Sequence, residues 1–179
     1  SYEGILDKVG SNSTYDAALS SGWGDYTITK IEEFMALLSD RADDNSDRIG
    51  FVCSRSFYRS VLNRFALSAG GNKGSDLRSG FMSGVGDADA EWDGYPVWFT
   101  PKMPRSYTGN QVSCLFGAFD AGCKVGEVSG SETLMTSEHR YFENNQIGVR
   151  SVRRIAFNPH DVNDVNDPDT GSMVVALQD

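Results

Sequence analysis

Ile49-Gly50-Phe51-Val52-Cys53-Ser54-Arg55-Ser56-Phe57-Tyr58 reads as a strand running straight into a helix. The first five residues are an apolar run of the length a buried strand needs. Ser54 or Ser56 then offers a side-chain oxygen as an N-cap. Phe57, Val61, Leu62 and Phe65 recur at helical spacing and give the helix one apolar face. Arg55, Arg59 and Arg64 lie off that face. Ala69-Gly70-Gly71-Asn72 closes the helix with residues that favour a stop.

Upstream lies a second helix. Ile28, Ile31, Met35 and Leu38 are spaced three, four and three apart, one face of a 3.6-residue period. Thr29-Lys30-Ile31-Glu32 has the form of a capping box near its start. Residues 1–24 are rich in Ser and Gly and read as loop. Downstream, Gly70 to Glu91 holds six glycines and little periodicity, which predicts a long mobile loop or irregular hairpin.

From Trp92 onward the pattern turns to strands. Tyr95-Pro96-Val97-Trp98-Phe99 follows an Asp93-Gly94 turn, and Pro96 suits an edge or first position. Val112 to Phe119 and Cys123 to Val128 are expected to pair across Asp120-Ala121-Gly122. Ile147 to Phe157 alternates with period two and predicts one long strand, stopped at Asn158-Pro159. A polar acidic tail, Asp161 to Gly171, precedes a last apolar run, Met173 to Leu177.

The chain has 179 residues, enough for one domain with a real core; roughly 70% of its unfolded surface is buried at this size. Its 25 acidic residues outweigh 16 basic ones, giving a net charge of −9. That balance opposes tight non-specific binding to DNA or to anionic membranes. No stretch approaches the roughly 20 apolar residues of a membrane span. The first residues show no charged n-region followed by an apolar h-region, so no signal peptide is expected.

Catalytic and ligand-binding patterns fail one by one. There is no Gly-x-Ser-x-Gly, and His139 and His160 are the only imidazoles. Cys53, Cys114 and Cys123 show no zinc spacing, and reduced, partly buried thiols are expected. A thiol hydrolase pairing one of them with a histidine is the competing reading from another class. The acidic run Asp161 to Asp169 fits no register of a calcium loop. Gly84-Val85-Gly86 lacks the third glycine and following helix of a phosphate cradle. No metal or cofactor is therefore expected. Arg150, Arg153 and Arg154 form the densest basic cluster. Without interleaved aromatics, it reads as salt bridges or contacts to an acidic neighbour rather than as a nucleic-acid patch.

The order of the segments carries a resemblance. Glu3-Gly4-Ile5-Leu6, the helix from Ile28 to Leu38 and the phrase Gly50 to Tyr58 come first. Trp92-Asp93-Gly94-Tyr95-Pro96-Val97 and Leu115-Phe116-Gly117-Ala118-Phe119-Asp120 follow. Tyr141-Phe142-Glu143-Asn144-Asn145 leads on to Val149-Arg150, Arg153-Arg154 and Pro159. In that order they resemble the C-terminal half of tailed-bacteriophage major capsid proteins. These have the Hong Kong-ninety-seven-type fold, which encapsulin shells share. The likeness spans about residues 3–160. Cys53-Ser54 replaces the family's usual Asn-Pro.

The resemblance implies an α+β fold: a mixed central sheet flanked by helices, forming the axial domain, with a long return strand into a partial peripheral domain. It divides the chain into a junction (1–25), an axial domain (26–147), and a return strand with C-terminal tail (148–179). It implies a structural, non-enzymatic subunit of a phage or prophage shell, assembling into pentamers and hexamers around the genome; an encapsulin-type shell is the alternative. The site of action would be the virion capsid, assembled in the bacterial host cytoplasm. The partner would be the chain itself, with scaffold or portal proteins, and neither sequence-specific nucleic acid nor membrane. The subunit-interface candidates are Gly70, Gly71, Lys73, Asp76, Arg78 and Phe81 in the glycine-rich loop, with Arg150, Arg153 and Arg154. The family's N-terminal arm, extended loop and spine helix would lie before Ser1.

Overall fold

A computed structural model of the chain describes residues 4–9, 13–42, 49–68, 88–130, 132–137, 147–159 and 172–179. It begins with α1 (Ile5–Lys8) and β1 (Thr14–Asp16), then a 3-10 turn (Trp23–Asp25) and α2 (Ile28–Met35). The quoted stretch forms β2 (Ile49–Cys53) and the first turn of α3. That helix runs as Arg55–Phe57, a π-helical turn Tyr58–Leu62, and Asn63–Ser68. Next come β3 (Ala90–Trp92), β4 (Tyr95–Phe99), β5 (Val112–Ala118) and the short α4 (Phe119–Gly122). Four further strands follow: β6 (Cys123–Glu127), β7 (Thr133–Ser137), β8 (Gly148–Val152) and β9 (Ile155–Pro159). The last is β10 (Val174–Gln178).

Both long helices begin where a hydroxyl can cap them. Ser54 Oγ accepts from the Phe57 amide at 3.1 Å, the expected cap. Thr27, rather than a box at Thr29, caps α2 by accepting from the Lys30 amide. The helix ends at Met35, and Leu38 instead bridges to Ser172.

Six strands form one mixed sheet in the order β1-β10-β5-β2-β4-β3. β1 runs parallel to β10, and β2 runs parallel to β4; the remaining pairs are antiparallel. The sheet therefore has the expected α+β, mixed character. Pro96 does not sit on an edge strand. The β2–β4 ladder begins one residue later, at Phe51↔Val97, so the missing N–H falls at its start.

Period two sorts the strand residues onto two faces. Phe51, Cys53, Cys114, Phe116 and Val97 turn to the face covered by the helices and pack with Phe34, Phe57 and Trp92. Phe51 and Phe116 lie 4.5 Å apart, centroid to centroid. Leu115, Val174 and Ala176 turn to the other face, where Met103, Ile5 and Phe119 meet them. Fully burying a phenylalanine such as Phe34 or Phe57 contributes about 2–3 kcal/mol. Polar contacts fix the helices in place: Arg64 donates to the Gly24 and Tyr26 carbonyls at 2.9 and 2.8 Å. Trp92 Nε1–H donates to the Leu62 carbonyl at 3.1 Å, in the π-helical turn.

Two expectations about strands need correction. β5 and β6 do not pair. The Asp120-Ala121-Gly122 signal is part of α4, which redirects the chain so that β5 lies between β10 and β2 while β6 pairs with β9. The expected strand from Ile147 to Phe157 is two strands, broken at Arg153-Arg154. The last apolar run forms Val174–Gln178, which enters the six-stranded sheet between β1 and β5.

Candidate assembly surface

The chain leaves the sheet at Cys123, runs out along β6 and β7, and returns along β8 and β9. β6 pairs antiparallel with β9 from Cys123↔Pro159 to Glu127↔Ile155. β7 pairs antiparallel with β8 from Thr133↔Val152 to Ser137↔Gly148. Between the two ladders the outgoing side, with Val128, Ser129, Gly130 and Glu132, is longer than the return side, with Arg153 and Arg154. Such an extended bulge bends and twists a ribbon. Gly130 takes a left-handed φ of +74° in the bulge, a conformation glycine adopts without penalty. The Val128 amide donates to the Arg154 carbonyl at 3.2 Å. A depression opens at the bulge, lined by Val128, Ser129, Gly130, Thr133, Val152 and Arg154.

The ribbon exposes aliphatic side chains on an unusual scale. Leu134 is 71% exposed, Val125 70%, Val149 65% and Ile147 64%. Large apolar groups clustered in water mark a surface that meets something else. The ribbon is also net basic within an acidic chain. It carries Lys124, Arg150, Arg153 and Arg154 against Glu127 and Glu132.

Arg150 lies on β8 opposite Met135, and its side chain is exposed. Arg153 sits in the break between β8 and β9 and reaches across to Glu127. Its Nε and Nη2 donate to Oε1 and Oε2 at 2.6 and 2.8 Å, a two-pronged contact. The guanidinium hydrogen bond holds the Glu127 carboxyl below the usual carboxylate range, and the carboxylate raises Arg153 in turn. Arg154 is exposed beside the bulge. The three arginines thus share one ribbon but have different surroundings. Gly70, Gly71, Lys73, Asp76, Arg78 and Phe81 lie outside the described residues.

Sequence alone does not mark Glu127 as the partner of Arg153, because the two are 26 positions apart and only the ribbon's register aligns them. Nor did it single out Asp179, whose buried carboxylate accepts from Trp23, Tyr26 and Ser113. Of the exposed aliphatic residues, Ile147 and Val149 belong to the alternating pattern and Val125 to an expected strand, while Leu134 carries no signal in the sequence.

Burial works against the thiols as nucleophiles. Cys53 and Cys114 are buried, and burial pushes the Cys114 thiol well above its ordinary value. The half-buried Cys123 is raised for the same reason. A thiol nucleophile needs the opposite shift. His139 and His160 lie outside the described residues. Among the described residues there is no group of three or more His, Cys, Asp or Glu that would hold a metal ion. No helix there is long and apolar enough to cross a membrane.

Solved structures share this fold. The capsid of an empty GTA particle superposes with a TM-score of 0.64 at 16% identity, covering 99% of this chain and 56% of that one. The SrpI encapsulin complex of Synechococcus elongatus PCC 7942 superposes at 0.56 and 13% identity, covering 98% and 55%. A structure from Mycobacterium phage Bobi gives 0.49 at 16% identity, over 93% and 50%. The chain thus spans about half the length of these structures. No curated protein sequence matches it. The chain belongs to the phage capsid family, whose model matches residues 2–165.

Proposed function

We propose that this chain is the C-terminal half of a shell subunit that assembles with its own copies into pentamers and hexamers of an icosahedral phage or prophage capsid enclosing the genome. The carrying observation is the ribbon: a projecting pair of strands with exposed Val125, Leu134, Ile147 and Val149, and a basic balance within an acidic chain. Apolar area drives association, and charge of opposite sign on a neighbour sets orientation. The six-stranded sheet is the axial part of the subunit, and the ribbon is the start of its peripheral part. Gly70 to Phe81 supplies contacts around the capsomer axis. Arg150, Arg153 and Arg154 act in structure and subunit contact, not in reading nucleic acid. Scaffold or portal proteins are further partners, and the virion, assembled in the host cytoplasm, is the place of action. The encapsulin-like superposition keeps a cargo shell of the same architecture as the second reading.

The test is assembly of the full-length protein, followed by electron microscopy and light scattering. Closed particles are expected from the full-length chain, with their yield cut by Arg150→Ala or Arg154→Ala at unchanged folding. Tight DNA binding by the isolated chain, with a steep salt dependence lost in these variants, would overturn the assignment of the arginines. Packaged DNA against packaged protein separates capsid from cargo shell.

A further inference from the structure

Cys53 and Cys114 lie directly opposite each other on neighbouring antiparallel strands. The hydrogen bonding of β2 defines which kind of opposite pair they are. The Cys53 carbonyl accepts from the Thr100 amide at 3.0 Å, so it points to β4, on the side of the strand away from β5. A strand residue directs its N–H and C=O to the same side. Cys53 and Cys114 are therefore a non-hydrogen-bonded pair, the closer of the two antiparallel kinds, with Cα atoms about 4.5 Å apart. Disulfides span Cα separations of about 4.4–6.8 Å. Both side chains point to the same face of the sheet, into the cluster that holds Phe51 and Phe116. Cys114 Sγ donates to the Leu115 carbonyl at 3.6 Å.

We propose that Cys53 and Cys114 form a cross-strand thiol pair that closes to a disulfide when the chain meets a disulfide oxidant such as oxidised glutathione. One cysteine, as its thiolate, attacks the oxidant and displaces one glutathione thiolate, which takes up a proton. The second cysteine, also deprotonated, attacks the protein sulfur of the mixed disulfide and releases the second glutathione. The protein loses two electrons and two protons, and the oxidant becomes two thiols. Under a reducing poise the pair stays open. Closing it would link β2 to β5 at the centre of the sheet. Both sulfurs are sealed from water, with Cys53 and Cys114 at most 1% exposed, so the reaction runs through an opened sheet. Burial also keeps the Cys114 thiol protonated, which slows attack in the closed sheet. Cys123 is half-buried at the start of the ribbon and provides the internal comparison.

The full 179-residue chain is unfolded, reduced, and refolded with oxidised glutathione in excess. It is then alkylated and mapped without reduction by mass spectrometry. Cys53 and Cys114 are both expected to be lost as free thiols to a single linked peptide pair, while Cys123 carries either the alkylating label or glutathione. The Cys123→Ser variant is expected to give the same linked pair and no free thiol. Added to the folded chain, the oxidant is expected to modify Cys123 first, and to close the pair at a rate that rises with urea below the unfolding midpoint. Persistence of free Cys53 and Cys114 thiols in the refolded protein would overturn the proposal. So would links to Cys123 as abundant as those between Cys53 and Cys114, or closure at a rate independent of urea.

Discussion

The indole N–H of Trp23 donates to Oδ2 of Asp179 at 2.9 Å, tying together positions 156 apart in the chain. Tyr26 donates to the other carboxylate oxygen at 2.8 Å, and Ser113 donates to Oδ2 at 2.6 Å. Asp179 is 4% exposed, so these three donors replace the water its charge would otherwise hold. The Asp179 amide and carbonyl complete the latch by bonding the Gln111 carbonyl and the Asn110 amide, each at 3.0 Å.

Removing that carboxylate should be costly. Asp179→Ala leaves three buried donors unsatisfied, and the loss is expected to reach about 3–5 kcal/mol. Asp179→Asn keeps the shape and one acceptor, so a loss of about 1–3 kcal/mol is expected. Urea unfolding at neutral pH measures both.

The same latch predicts an alkaline weakness. Burial, then the Asp179 carboxylate, raises the Tyr26 hydroxyl far above its ordinary value near 10. The folded chain thus keeps a proton that the unfolded chain releases above about pH 10. Stability contributed by this tyrosine is complete below that pH and falls above it, by up to about 1.4 kcal/mol per pH unit. Tyr15 is pushed up to about 12 by burial and by its bond to Glu33, and it adds to the decline in the same direction. Tyr26→Phe is expected to lower stability at pH 8 yet to flatten the fall between pH 10 and 11.5. Urea midpoints across that range test it, and equal slopes in both proteins would contradict it.

Two glycines should respond very differently to alanine. At Gly117, φ is +151° and a Cβ would sit 2.3 Å from the Met173 carbonyl oxygen and 2.7 Å from Val174 Cα. That is backbone of the neighbouring strand, so β5 and β10 must part. A loss of about 3 kcal/mol or more is expected from Gly117→Ala. Gly94 has φ +79° in the β3–β4 turn with open space around it, so Gly94→Ala should cost only about 1–2 kcal/mol. Thermal unfolding of the two variants gives the ratio.

On the ribbon the expected pattern reverses. Leu134→Asp and Val125→Asp change side chains already in water and should leave the unfolding midpoint of this chain within about 0.5 kcal/mol of its original value. In the full-length protein the same changes should sharply lower the yield of closed particles. Light scattering and electron microscopy measure that yield. A lowered midpoint with normal particles would place these residues in a folding role instead.

Local pattern was sufficient where one segment determines its own structure. The run Ile49 to Cys53, the Ser54 cap and the apolar stripe of Phe57, Val61 and Leu62 follow from spacing and capping alone. The order of short motifs led further, to the family. Strand partners were not legible, because pairing is set between distant segments. Val112–Ala118 and Cys123–Glu127 are each unmistakable strands, yet a four-residue helical turn between them sends them to different sheets. Alternation from Ile147 to Phe157 passes through Arg153-Arg154 without a sign of the break, since the bulge residues that cause it lie on the opposite strand. Of the expected interface residues, Arg150, Arg153 and Arg154 do share one ribbon. The fork from Arg153 to Glu127 depends on its register, and register is not written in either strand alone.

β1 reaches the sheet solely through β10, and β10 also covers one side of β5. A ribosome releases these strands in a different order from their placement: the strand between β1 and β5 emerges after both of them. Until residues 174–178 are available, Thr14–Asp16 has no ladder to join and β5 presents a bare row of amides and carbonyls. A message truncated upstream of residue 174 therefore yields a product with an open, adhesive flank. A chain translated through that point closes its own sheet. Closure of the sheet thus reports how far the chain has been read: the strands at Thr14–Asp16 and Val112–Ala118 stay unjoined on that side until Val174–Gln178 has been made.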